Sequence, residues 1–225
     1  MADQSQTVPS AFTCEGGLVL NKSTFMMQPG EALELENFEP DITGGYRRIN
    51  GYSKYVSAVV PQTASATEKV LMVVTFGSKV LAARGTSIYS ADPGGSSWTS
   101  IDSGRTNAGK YRFERYNFDG TDKLIVVDGT NAPTVFNTSL TATDVSASSV
   151  AGAKHVAAFR DHMFYSGMSS TPQELVFSKP FDEDDFSSGA GSGSIAVDDT
   201  IVGIKVFRDN LFIFCENRIF KLAGS

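Results

Sequence analysis

A pattern of short apolar strands recurs along the chain with a period near forty residues, and it constrains the fold more than any other feature. One strand ends at Phe76, a second at Phe118 (in RFERYNF), a third at Phe159 (in HVAAF) and a fourth at Phe207 (in IVGIKVF). The intervals are 118−76=42, 159−118=41 and 207−159=48. A tight turn follows each Phe, spelled GSK, DGTDK, RDH and RDN. A second strand then begins at Val80-Leu81, Leu124-Ile125, Met163-Phe164 and Leu211-Phe212. A third ends in an aromatic, at Tyr89, Phe136, Phe177 and Phe220. The last two units share nearly the same words, FRDHMF at 159–164 and FRDNLF at 207–212.

A unit of three or four strands has two apolar faces and must stack on its neighbours to bury them. The chain therefore reads as all-β, with about four β-propeller-like blades at about 66–108, 109–150, 151–198 and 199–225. The aromatics Phe76, Phe118, Phe159, Phe207, Tyr89, Phe136, Phe177 and Phe220 are the expected blade core. The fourth unit ends after its third strand. Because a bare edge invites aggregation, either N-terminal strands close a small ring, or the chain is a piece of a larger one, or another subunit completes the sheet; the reading favours a piece of a larger propeller.

Ahead of the repeats, residues 1–57 read as an N-terminal extended arm, and 58–225 as the propeller region. Met1 to about Ser10 is a polar tail. PGEALELENF suits one short helix, with Pro29 early, Glu31 in the first turn and Ala32, Leu33, Leu35 and Phe38 as apolar contacts. Two extended pieces flank a Gly44-Gly45 turn. The segment then offers interface candidates of two kinds: the apolar Leu18, Leu20, Phe25, Leu33, Leu35 and Phe38, and the Tyr/Arg group Tyr46, Arg47, Arg48 and Tyr52, with Tyr55 nearby. Arg47 and Arg48 are neighbours on a strand, so they point to opposite faces: one can meet a partner while the other pairs with an acid of its own subunit.

Composition narrows the function. A hydrophobic share of 41% and a charged share of 20% exclude a disordered chain or a coiled coil. The 21 Gly and 8 Pro fit a fold with many tight turns. A formal charge of −6 and a pI near 4.9 oppose adhesion to nucleic acid phosphates. Cys14 and Cys215 stand far apart with no metal-ligand spacing, so both read as small hydrophobes. The longest apolar run, Val70 to Val74, is far too short to span a bilayer, and no basic-then-apolar leader opens the chain, so no membrane anchor is expected.

Three stretches resemble a known family: GGLVLNKSTFMMQPGEALELENFEP, then GGYRRINGY, then SKPFDEDDFSSGAGSGSIAVDDTIVGIKVFRDNLFIFCENRIFKLAGS. Together they are similar to virion structural proteins of tailed bacteriophages, the β-propeller proteins that form the hub or nozzle of short tails. The first two phrases carry most of the likeness. It implies a homo-oligomer, typically a hexameric ring, seated below the portal and adaptor beside other tail proteins, made in the host cytoplasm and residing in the virion. It further implies a structural protein, not an enzyme, with no cofactor, forming part of a conduit that DNA transits without specific binding. A weakly acidic wall suits such a conduit, because Lys or Arg would hold phosphates and slow passage.

Asp182, Glu183, Asp184 and Asp185, with Asp198 and Asp199, could supply oxygen ligands to calcium, but adjacent acids cannot all face one ion and the EF-hand spacing is absent, so a solvated loop is expected and no metal site is assigned. SADPGGSSW at 90–98 resembles the Asp-box hairpin of sialidase-like propellers with one extra residue before the Trp, and predicts a hairpin. His162 occupies the turn position that Asn210 takes in the next unit, which reads as turn chemistry. No catalytic residue is assigned, and GAGSG at 189–193 reads as a connector without the Lys or helix of a phosphate loop. The alternatives to a tail component are a carbohydrate-binding propeller adhesin, with aromatics such as Trp98 stacking on sugars, and a propeller glycosidase, which needs paired acids in a cleft.

Overall fold

The computed structural model describes residues 15–42, 45–63, 68–107, 109–187 and 189–223. The chain divides into two compact units, 1–53 and 54–225, so residues 54–57 belong with the repeats and not with the arm.

In the first unit, β1 (Gly17–Leu18) pairs parallel with β2 (Glu31–Ala32), and β3 (Phe38–Pro40) pairs antiparallel with β4 (Tyr46–Arg48). The strands flanking Gly45 agree with the expected hairpin; Gly44 lies outside the described residues. The helix expected over PGEALELENF is absent. Glu31 does reach back to accept the Gln28 amide at 2.9 Å, as in one half of a capping box. Gly30, however, takes φ 91°, which breaks the α-helical path, and Glu31 enters a ladder with Gly17 instead. An isolated ten-residue helix is marginal in water, and Leu33 and Phe38 are half-exposed here with little to pack against. The helical content of the described residues is two 3-10 turns, Thr24–Met26 and Ser148–Val150.

The second unit is all-β. Its first sheet holds β5 (Val70–Phe76), β6 (Lys79–Arg84), β7 (Ser87–Ala91) and β8 (Thr99–Asp102). The second holds β9 (Arg112–Tyr116), β10 (Lys123–Val127), β11 (Thr134–Phe136) and β12 (Ala142–Asp144). The third holds β13 (His155–Phe159), β14 (His162–Ser166), β15 (Glu174–Phe177) and β16 (Gly193–Ala196). The fourth holds β17 (Ile201–Phe207), β18 (Asn210–Cys215) and β19 (Ile219–Ala223). Each is an antiparallel meander in chain order.

Strand alternation explains how the sheets stack. In β10, Leu124 and Val126 join a core with Val74, Phe76, Leu81 and Ile88 of the first sheet. Ile125 and Val127 of the same strand join Val156, Met163 and Tyr165 of the third. In β14, Met163 and Tyr165 face back while Phe164 faces forward, into a core with Ile204, Leu211 and Ile213 of the fourth sheet. The second and third sheets thus each have a leading face toward the preceding sheet and a trailing face toward the following one, and the same terms name the corresponding faces of the first and fourth. Three cores join the four sheets pairwise, and among the described residues none joins the fourth sheet to the first.

The ladders also correct the expected anchors. Phe76, Phe159 and Phe207 each end a first strand and pair with the residue that opens the second, at Lys79, His162 and Asn210. In the second sheet that position belongs to Tyr116, opposite Lys123. Phe118 lies in the loop beyond it, because the connection there spans 117–122 where the others are two-residue turns; its ring meets that of Tyr116 at 4.8 Å, tilted by 54°. The anchor intervals become 116−76=40, 159−116=43 and 207−159=48. Phe136 and Phe177 do end their strands, whereas Tyr89 sits mid-strand in β7 and Phe220 near the start of β19. Phe76, Tyr89, Phe136 and Phe159 are buried, and Phe118, Phe177 and Phe220 are partly so. Phe207 is 60% exposed and belongs to none of the three cores, because no sheet of the described residues packs on the trailing side of the fourth.

Candidate functional site

The most distinctive surfaces of the second unit are the two outward faces of its sheet stack. On the trailing face of the fourth sheet lie Lys205 and Phe207 of β17, Phe212 and Phe214 of β18, and Ile219 of β19. Phe207, Phe214 and Ile219 are all exposed. The Phe207 and Phe212 rings meet at 6.5 Å with the Arg208 guanidinium 5.3 Å from the Phe207 ring. The same trio occurs one repeat earlier, where Phe159 and Phe164 meet at 6.1 Å beneath Arg160. There the fourth sheet covers it.

At the opposite end, the leading face of the first sheet carries Val73, Thr75, Val80 and Ala82, of which Val73 and Thr75 are exposed and Val80 and Ala82 buried. Residues 54–60 run beside it. Gly94 N–H donates to the Tyr55 carbonyl at 2.7 Å, Trp98 Nε1–H donates to the Ala58 carbonyl at 3.0 Å, and Arg84 donates to the Val60 and Glu68 carbonyls. Segment and sheet together enclose an apolar groove of 610 Å³ lined by Tyr55, Val56, Val60, Val70, Val73 and Trp98 among others. SADPGGSSW forms the turn from β7 into β8, as its sequence predicts, and places Trp98 in this groove.

Between the first two sheets sits a buried polar node. Arg105, in the loop after β8, donates to Tyr111 Oη at 3.1 Å, Asp102 Oδ2 at 2.7 Å, Thr134 Oγ1 at 2.6 Å and Asp128 Oδ2 at 2.9 Å. Asp128 also accepts the amides of Thr130 and Asn131. Burial pushes the Asp128 carboxyl upward, but Arg105 and the Asn131 and Thr130 donors outweigh it and hold it below the usual carboxylate range. Sequence reasoning missed this node, since its members come from different repeats with no shared spacing.

The other candidates disperse. Asp182 accepts the Asp184 amide, Glu183 pairs with Lys123 at 2.9 Å, Asp184 accepts the Ser146 amide and Asp185 pairs with Lys179, so the four acids turn to four different partners. Asp199 accepts the Thr200 and Asn217 amides, and Asp198 pairs with Arg218. Among the described residues, no group of three His, Cys, Asp or Glu is placed to hold a metal ion. His162 Nδ1 lies 2.6 Å from the Ser178 carbonyl, edge-on to Phe177. His155 is buried, and burial together with Arg112 and Lys154 pushes its imidazole down to about 4. Cys14 lies outside the described residues; Cys215 is a free, buried thiol. In the arm, Leu20, Phe25 and Tyr52 are strongly exposed, Leu18, Leu33 and Phe38 half so, and Leu35 and Tyr46 partly buried. Arg47 takes the internal acid, Glu39 at 2.7 Å, and Arg48 is exposed. Tyr46 Oη donates to the Gly30 carbonyl, which joins the two small sheets.

Consecutive antiparallel meanders packed face to face define the β-propeller-like class. Neither a protein-family model nor a curated protein sequence matches the chain. Among solved structures it is similar to the N-terminal domain of Nup159 (8% identity, TM-score 0.43, covering 64% of this chain and 38% of that one). It is similar also to YCF48 from Cyanidioschyzon merolae (13% identity, TM-score 0.46, 79% and 59%) and to the computationally designed Ika8 protein (6%, 0.48, 75% and 48%). The chain therefore spans less than two thirds of the length of each.

Proposed function

We propose that this chain is a structural component of a short-tailed bacteriophage tail, a hub or nozzle subunit that assembles as a ring below the portal and adaptor and forms part of the path by which DNA leaves. The observation that carries the reading is the amount of apolar surface left without a partner. Leu20 and Phe25 of the arm are exposed to 78% and 98%, and Phe207 and Ile219 at the end of the sheet stack to 60% and 65%. Exposed apolar surface on this scale belongs to a protein whose working state is an assembly. The phrases GGLVLNKSTFMMQPGEALELENFEP and GGYRRINGY supply the tail assignment by resemblance, and the net charge of −6 is compatible with a conduit wall.

The test is the mass of the purified full chain by sedimentation velocity, with negative-stain images of the same sample. A hexameric ring with a central opening is the expected result. Removing residues 1–53, one of the two compact units, should dissolve the ring while the β-sheet circular dichroism persists. A ring that survives this deletion refutes the role of the arm, and a full chain that forms no ring refutes the tail reading.

A further inference from the structure

The two ends of the sheet stack are related to its internal interfaces by the repeat itself. Alignment on the strand-end pairs makes Val73, Val156 and Ile204 equivalent, and likewise Val74, Ala157 and Lys205. In the third core, Ala157 on the trailing face of β13 and Ile204 on the leading face of β17 are packed together with Phe159 and Phe164. The fourth sheet offers the same trailing pattern in Lys205, Phe207 and Phe212, uncovered. The first sheet offers the leading pattern in Val73 and Thr75, both exposed, beside a groove of 610 Å³; Val80 of the same face is already buried.

We infer that the trailing face of the fourth sheet seats on the leading face of the first sheet of a second copy of this chain, and that two copies close head to tail into one eight-sheet propeller. Continuity with the three internal cores argues for the occupant: what covers Phe159 and Phe164 is an aliphatic leading face, and the first sheet exposes aliphatic side chains in Val70 and Val73 along the groove. Size argues for it too, because bulky Phe207, Phe212 and Phe214 would meet an apolar groove. A contact between unlike faces must close into a ring or run on as a filament. Eight sheets lie within the range of about four to eight that propellers adopt. The inference rests on the fold and does not depend on the tail reading. In a six-membered ring such pairs would number three.

The test uses the full chain with Cys14→Ala and Cys215→Ala as background, carrying Val73→Cys and Lys205→Cys singly and together, treated with copper-phenanthroline. The doubly substituted chain should give a disulfide-linked dimer on a non-reducing gel. Each single variant alone should stay uncoupled, whereas an equimolar mixture of the two should couple. Phe207→Asp with Phe214→Asp should abolish the coupling while the circular dichroism stays that of β-sheet. A folded double variant that does not couple overturns the inference, and so does coupling of Lys205→Cys with itself, which would mean like faces meet. An intrachain bond in a monomer also overturns it, since one chain would then close on itself. A hexamer without this cross-link would leave the tail reading standing and refute only the head-to-tail pair.

Discussion

Replacing Arg105 with Ala should be among the most damaging single changes to the sheet stack. The guanidinium is 5% exposed and the Asp128 side chain 0%, and four side chains converge on the one cation. Deleting it leaves a buried carboxylate without its counter-charge, a loss of about 3–5 kcal/mol. Asp128 keeps its Thr130 and Asn131 donors, which places the expectation near the lower limit, about 3 kcal/mol. With a urea slope of about 2 kcal/mol per M, the midpoint followed by circular dichroism should fall by roughly 1.5 M. The pH dependence checks the cause. Asp128 has a folded pKa below its unfolded value of about 3.9, so its contribution is complete above that value and lost as pH falls through the folded pKa. The wild-type midpoint should therefore drop more steeply than that of Arg105→Ala below about pH 4. A midpoint shift under about 0.4 M, or parallel acid profiles, would show that the node does not hold the first two sheets together.

Other expectations follow from the same geometry. His155 titrates near 4 when folded and near 6.5 when unfolded. Its contribution is therefore complete above about pH 6.5 and declines as pH falls toward 4, by as much as about 3 kcal/mol; His155→Gln should flatten that limb of a urea-midpoint profile. Phe164→Ala should cost about 3–5 kcal/mol, whereas the equivalent change at partly exposed Phe212 should cost under about 2 kcal/mol in the separated chain; equal losses by chemical denaturation would contradict the placement of these faces. The buried Ser166 hydroxyl lacks a hydrogen-bond partner among the described residues, so Ser166→Ala should be neutral or raise the melting temperature, by roughly 1 kcal/mol of added stability.

What could be read from the sequence was whatever the apolar alternation encoded. The first three strands of each repeat announce themselves through runs such as VLMVVTF, KLIVV and HVAAF, whose neighbouring side chains fill two different cores. The outer strands β8, β12 and β16 escaped individual notice, because an edge strand in water carries residues such as Thr99, Thr143 and Ser194 that leave no apolar signature. The anchor of the second repeat was displaced to Phe118 because an aromatic two residues beyond the strand end mimics the pattern when the turn is long. The helix over PGEALELENF failed for a different reason: propensity and a back-reaching Glu31 cannot outweigh a left-handed Gly30 without a surface to pack on. The Arg105 node and the end faces became visible only once the ladders fixed which residues face which way.

The double use of each inner strand makes this architecture sensitive to small edits and permissive of large ones. Inserting a single residue into β10 would send Leu124 and Val126 to the side now held by Ile125 and Val127, and so dismantle two cores in one step. Inserting an entire repeat would leave each existing face with the same kind of neighbour, because a new meander brings one leading and one trailing surface of its own. The molecule can therefore change size in whole modules of about forty residues while tolerating almost no slippage within a module, a grammar in which growth by duplication is open and growth by single residues is confined to the turns, as the extended 117–122 loop already illustrates.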